Sequence, residues 1–292
     1  MKCPNCNRTY DDNFKFCPYC GEEKPEPKIC TNCEMEPSTE FNFCPECGTE
    51  LILKSKWDEI NDLIEKINDY EEFEFYEDAL ECYNKLIELE PNNSNHWMGK
   101  ARCLEELWEH EELLECYDKL IELEPNNSNH WMGKARCLGI LEREKALEYY
   151  DKAIELEPNN SKYWRSKIIF FQRFGESEEV LECFDELIKI EPDYSDNWTF
   201  KAEYLEELER YEEALECYDK AIELDPYDTK WIQKGKCLEK LGEHEVALEC
   251  YDKAIELDPY FSFNWIQKGK CLEKLKRYEE AVYCFEQAKF LS

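Results

Sequence analysis

At 292 residues, 36% of them charged and 42% hydrophobic, the chain can bury ample apolar surface. Its formal net charge of −33 speaks against nucleic acid, which wants clustered Lys and Arg. No apolar run approaches the ~18 to 20 residues that cross a membrane, and no signal-peptide core opens the chain, so a soluble, cytoplasmic protein is expected.

Eighteen cysteines fall into two populations. The first eight read CPNC and FCPYCG, then CTNC and FCPECG, at a constant offset of 27 residues: Cys3, Cys6, Cys17 and Cys20 match Cys30, Cys33, Cys44 and Cys47. Two thiolates three residues apart can grip one ion from a tight turn, and a second such turn completes a tetrahedron. The pattern resembles tandem zinc ribbons, which implies two structural zinc ions with all-thiolate ligands and no open catalytic position. A segment with so few aliphatic residues cannot fold by burial alone, so the metal serves as its core. Pairing within each half is favoured by the identical intervals, while a crossed site from Cys3, Cys6, Cys44 and Cys47 stays open. Positive φ suits Asn7 and Gly21 at the turn ends, whereas Glu34 makes the first turn of the second ribbon the least orthodox.

Near residue 52 the composition becomes helical, which divides the chain into a module at 1–51 and an array at 52–292. Prolines at Pro91, Pro125, Pro158, Pro192, Pro226 and Pro259 recur every 33 or 34 residues, and Trp97, Trp131, Trp164, Trp198, Trp231 and Trp265 follow in step. Within one period, apolar or small residues at Trp231, Gly235, Leu238 and Leu241, then Ala247, Tyr251, Ala254 and Leu257, mark two amphipathic helices. Gly242 closes the first and Asp258 before Pro259 the second. This unit resembles the tetratricopeptide repeat. The resemblance implies an all-α solenoid of about seven helix-turn-helix repeats, at roughly 60–93, 94–127, 128–160, 161–194, 195–228, 229–261 and 262–292, behind two small zinc ribbons. In the first repeat Leu63 stands in the tryptophan place, and the third is one residue short between Leu141 and Ala146. Some blocks are copied outright, residues 231–241 and 265–275 among them.

The ten cysteines of the array occupy two fixed repeat places, which argues for packing. His96, His130, His110 and His244 have no ligand-like spacing. No phosphate loop, nucleophile elbow or HExxH occurs, so no enzyme is expected.

Binding remains. In the family that the array resembles, first helices line a concave groove for peptides. By that resemblance the groove places are Met98 and Arg102, Met132 and Arg136, Arg165, Ile232, Lys236 and Lys240, and Ile266, Lys270 and Lys274. A basic and apolar strip on an acidic body implies an acidic partner with apolar anchors, interrupted at Thr199, Glu203, Glu206 and Glu207. The same lysines and arginines can equally be balanced by neighbouring glutamates on a solvated face. The expected function is a non-enzymatic scaffold that binds a protein or peptide in the groove, with the ribbons as a second docking module. The alternative is a nucleic-acid- or transcription-associated factor acting through the ribbons. At the last repeat, Ala281, Phe285 and Ala288 have no following first helix to cover them, which favours self-association or a docked helix unless Glu286, Gln287 and Lys289 screen the face.

Overall fold

The computed structural model describes residues 8, 16–18, 20, 22, 25–36 and 42–291. Among these, two short strands and fourteen helices follow one another: β1 (Lys28–Cys30), β2 (Leu51–Leu53), α1 (Lys54–Glu72), α2 (Tyr76–Leu89), α3 (Ser94–Glu106), α4 (His110–Leu123), α5 (Ser128–Leu141), α6 (Arg143–Leu156), α7 (Ser161–Phe174), α8 (Ser177–Ile190), α9 (Ser195–Glu207), α10 (Tyr211–Leu224), α11 (Asp228–Leu241), α12 (His244–Leu257), α13 (Ser262–Lys274) and α14 (Tyr278–Leu291). They pair as seven helical hairpins. The chain divides into two compact units, Met1–His130 and Trp131–Ser292.

In the first unit, β1 and β2 pair antiparallel with Cys30 opposite Leu51, and an isolated bridge joins Phe43 to Glu50. Residues 51–53 are thus extended by this pairing, and α1 starts at Lys54, whose amide donates to the Pro27 carbonyl at 2.8 Å. The stripe of α1 and α2 closes on itself through Ile60, Leu63, Ile67, Ala79, Tyr83 and Leu86, joined by Cys103 from α3. Leu63 is buried in the place that tryptophan takes elsewhere, so the degenerate first repeat keeps its packing.

The sequence period has a direct physical cause. Three of the indoles reach back to the proline that closes the preceding repeat: Trp97 Nε1 donates to the Pro91 carbonyl at 2.8 Å, Trp164 to that of Pro158 at 3.0 Å and Trp265 to that of Pro259 at 3.0 Å. In the early repeats an asparagine then caps the first helix, as Asn93 accepts from the Asn95 amide and Asn160 from the Lys162 amide.

Between the two helices of a hairpin the chain turns through the left-handed region. Gly175 and Gly242 do so at φ of 71° and 91°, as glycine permits. Four other repeats place Glu74, Trp108, Glu209 and Lys276 there at φ near 60°. In the third repeat Glu142 caps at φ −140°, so the missing residue is the left-handed one.

In the second unit, the small residue of the first helix admits the aromatic of the second. A Cβ added at Gly235 would lie 2.6 Å from the Tyr251 ring, and Tyr218 and Tyr251 are fully buried. The array also carries ten thiols. All ten are free and buried, and burial pushes Cys116, Cys183, Cys217 and Cys250 up to about 11 and Cys237 and Cys271 up to about 12. They are packing residues, as their regular placement indicates.

Charged side chains lock neighbouring repeats together. Lys167 pairs with Asp151 at 2.6 Å and Lys201 with Asp185 at 2.5 Å, while Lys234 and Lys268 pair with Asp219 and Asp252. Each joins a first helix to the second helix of the repeat before.

At the last hairpin the structure corrects one expectation. Ala281 and Ala288 are buried and Phe285 is half-buried, its ring packed against Gly269 of α13. The exposed apolar residues of α14 are instead Tyr278, Val282, Tyr283 and Phe290. No helix among the described residues is long and apolar enough to cross a membrane.

Candidate functional site

Two regions carry chemistry, a thiol cluster and a cleft between first helices. The cluster is built by two turns of the form C-x2-C. In each, the first cysteine amide donates to the carbonyl five residues on, Cys30 to Met35 at 2.9 Å and Cys44 to Thr49 at 2.7 Å. The turn ends are left-handed, with Gly48 at φ 74° and, without glycine's freedom, Glu34 at φ 55°. Strand pairing of β1 with β2 then brings the turns together. Cys30, Cys33, Cys44 and Cys47 converge so that their sulfurs lie within 4.8 Å of one another, with Cys30 to Cys47 at 3.4 Å and Cys33 to Cys44 at 3.5 Å. Four thiolates around zinc at about 2.3 Å would stand about 3.8 Å apart, so the donor set fits the ion.

Hydrogen bonds differentiate the four thiols. The hydroxyl and amide of Thr49 hold Cys47 down at about 6. Against the lowering pull of the Met35 amide, the sulfurs of Cys30 and Cys44 push Cys33 up to about 12. Among the described residues Leu51 and Met35 join Cys30 and Cys44 in one small apolar cluster.

Of the other expected ligands, Cys17 and Cys20 are described, and Cys3 and Cys6 lie outside the described residues. Cys17 repeats the closure seen in the second ribbon, donating to the Glu22 carbonyl at 2.7 Å, and is buried while Cys20 is exposed.

The residues expected to line a groove separate into three groups. Met132 and Ile232 are 6% and 3% exposed and belong to the packing, which removes them from any contact surface. Arg102, Arg165, Lys240 and Lys274 are exposed or half-exposed but engaged within the chain: Arg102 with Glu71 at 3.2 Å, Arg165 with Glu191 at 2.6 Å, Lys240 with Glu206 at 2.7 Å and Lys274 with Glu239 at 2.5 Å. Arg136, Lys236 and Lys270 are exposed and Met98 and Ile266 partly buried, with Lys236 stacked over the Phe263 ring at 4.9 Å. Four of the seven cations of the expected basic strip are therefore engaged by the protein's own glutamates.

What sequence reasoning missed lies at the expected interruption. Between α7 and α9 opens a cleft of about 400 Å³, with Ile168, Phe184, Leu187 and Tyr204 as its buried floor. Ile169 and Phe200 form exposed apolar walls, and Arg165, Gln172, Glu203 and Glu207 complete the lining. A signal was present in the repeat register. Ile169 holds the place of Arg102, Arg136, Lys236 and Lys270, and Phe200 that of Gly99 and Gln233, so both depart from the pattern toward exposed hydrophobicity.

Helical hairpins repeating every 33 or 34 residues behind a four-thiol cluster define a repeat-array protein with a metal-binding N-terminal module. The double zinc ribbon family model matches residues 3–48, and tetratricopeptide repeat models match 64–112, 142–160, 196–228, 230–261 and 250–283. The chain belongs to the tetratricopeptide-repeat proteins and carries a double zinc ribbon at its N-terminus. Among solved structures, a tetratricopeptide repeat protein from Parabacteroides merdae ATCC 43184 has a similar fold, with a TM-score of 0.51 and 16% identity over 80% of this chain and 94% of that one. MamA 41-end from Desulfovibrio magneticus RS-1 gives a TM-score of 0.45 and 18% identity over 57% and 95% of the two chains. YrrB, described as a TPR protein with an unusual peptide-binding site, gives 0.45 and 23% over 61% and 93%. No curated protein matches significantly.

Proposed function

We propose that the chain is a non-enzymatic interaction scaffold whose repeats, over residues 52–292, bind a protein or peptide partner on their first-helix face. The ribbons, residues 1–51, form a second docking module held by two structural zinc ions. The observation that carries the reading is the cleft at α7 and α9: a buried apolar floor with Ile169 and Phe200 exposed at 68% and 46% is a receptor for an apolar anchor side chain. The thiols of the array, buried and pushed up, agree with a cytoplasmic setting in which cysteine stays reduced.

Selection of displayed peptides against the full chain tests it. Ligands with an apolar anchor should emerge whose binding is lost in Phe200→Glu, a substitution at a partly exposed position that leaves the thermal transition intact. Ligands uniformly indifferent to Phe200→Glu would overturn the proposed cleft.

A further inference from the structure

We infer that the segment seated in the α7–α9 cleft is basic, an apolar anchor flanked by Lys or Arg; this rests on the reading of the cleft as a partner site and reverses the acidic partner that the sequence implies. Arg165, the cation of the cleft lining, and two lysines on α9 and α11 already have anionic partners. Arg165 holds Glu191 at 2.6 Å with its guanidinium over the Tyr194 ring, Lys201 holds Asp185 at 2.5 Å and Lys240 holds Glu206 at 2.7 Å. The carboxylates of the lining do not. Among the described residues neither Glu203 nor Glu207 has an ion pair, and Glu203 has only the neutral Gln233 amide as donor. Burial, and then the charges of Glu206 and Glu207, push the Glu203 carboxyl above its ordinary value. An arriving cation would relieve that repulsion.

The repeat register makes the inversion specific. The place of Glu203 is taken by Arg102, Arg136, Lys236 and Lys270 in four other repeats, and the place of Glu207 by Lys240 and Lys274 in the two that follow. The fifth repeat changes sign at both places where its residues line the apolar cleft. Charge complementarity of this kind selects a partner by sign, and the net charge of −33 adds long-range attraction for a basic segment.

The test uses three fluorescein-labelled twelve-residue peptides with one shared Leu and Phe core, flanked by Lys, Ser or Glu, titrated into the full chain. The Lys-flanked peptide should bind at least tenfold more tightly than the Ser-flanked one, with the gap closing as salt is added. Glu203→Lys combined with Glu207→Lys should abolish the gap, whereas Glu111→Lys with Glu112→Lys, an equal charge change on exposed α4, should leave it. Equal loss in both double variants would overturn the inference, because the preference would then belong to the whole chain's charge. A Glu-flanked peptide bound as well as the Lys-flanked one, yet lost in Phe200→Glu, would overturn the basic partner and leave the cleft standing. If no peptide responds to Phe200→Glu, the cleft itself fails as the site.

Discussion

Lys240 Nζ on α11 lies 2.7 Å from a carboxylate oxygen of Glu206 on α9, and the other oxygen of that carboxylate accepts the Tyr218 hydroxyl at 2.6 Å. Tyr251, Glu239 and Lys274 repeat the arrangement one hairpin on, and in the first unit Tyr83 and Arg102 meet on a single oxygen of Glu71. One glutamate thus ties the two helices of its own hairpin to the first helix of the next.

The two arms of this tie differ in strength. Tyr218 is buried and Glu206 11% exposed, so removing the hydroxyl with Tyr218→Phe should cost about 1.5–3 kcal/mol, the range for a hydrogen bond to a charged group. Lys240 is half exposed, and Lys240→Ala should cost at most about 1 kcal/mol. Calorimetric unfolding ranks the two, and a larger loss for Lys240→Ala would refute the assignment.

The left-handed turns predict stabilising changes. Glu209 and Lys276 hold φ of 58° and 60° without glycine's freedom, so Glu209→Gly and Lys276→Gly should each add about 0.5–1 kcal/mol. Gly242→Ala, at φ 91°, should lose a similar amount. Urea midpoints measured at constant m-value give the signs.

Close packing of the hairpins gives a third expectation. Gly235→Ala drives a methyl against the Tyr251 ring and should cost about 1–3 kcal/mol, with partial recovery when Tyr251→Leu is added. Additive losses in the double variant would show that the two sites do not meet.

For the ribbons, native mass spectrometry should find two zinc ions per chain, and Cys30→Ser should remove one of them. The bound ligands are thiolates, so protons compete with the metal: zinc should be retained at pH 7 and released as the pH falls toward 5, read by a chromogenic chelator. Release on raising the pH would contradict thiolate ligation.

Acid should also act on the array. Hydrogen bonds from Ser94, Asn127 and His130 hold the Glu124 carboxyl down at about 2 from its ordinary 4.5. A lowered carboxyl contributes stability that is present above 4.5 and is lost as pH falls toward 2. Glu124→Gln should therefore flatten the loss of stability between pH 4.5 and 2 relative to the parent chain, and parallel curves would show that the group contributes nothing.

The parts of the fold that were legible in the sequence are those fixed by local geometry. Trp97 and Pro91 recur together because an indole N–H meets a proline carbonyl, and the C-x2-C turns at Cys30 and Cys44 read plainly because each closes over six residues. The fate of Arg102, Arg165, Lys240 and Lys274 was not legible. A lysine's period says which helix face it occupies, whereas its partner depends on the rotation and approach of the neighbouring repeat. Burial of Met132 and Ile232 depends on that same approach. The cleft escaped notice because Ile169 and Phe200 become a feature only when α7 and α9 stand side by side.

The tie between hairpins has a consequence for how such a chain can grow. Residues 231–241 recur unchanged at 265–275, so each copy carries both a glutamate for the next repeat and a lysine for the previous one. A duplicated segment arrives with both halves of its joint. Excising residues 231–264 would set Lys274 opposite Glu206 in the position Lys240 now occupies, so recombination can lengthen or shorten the array by whole units without inventing a new junction.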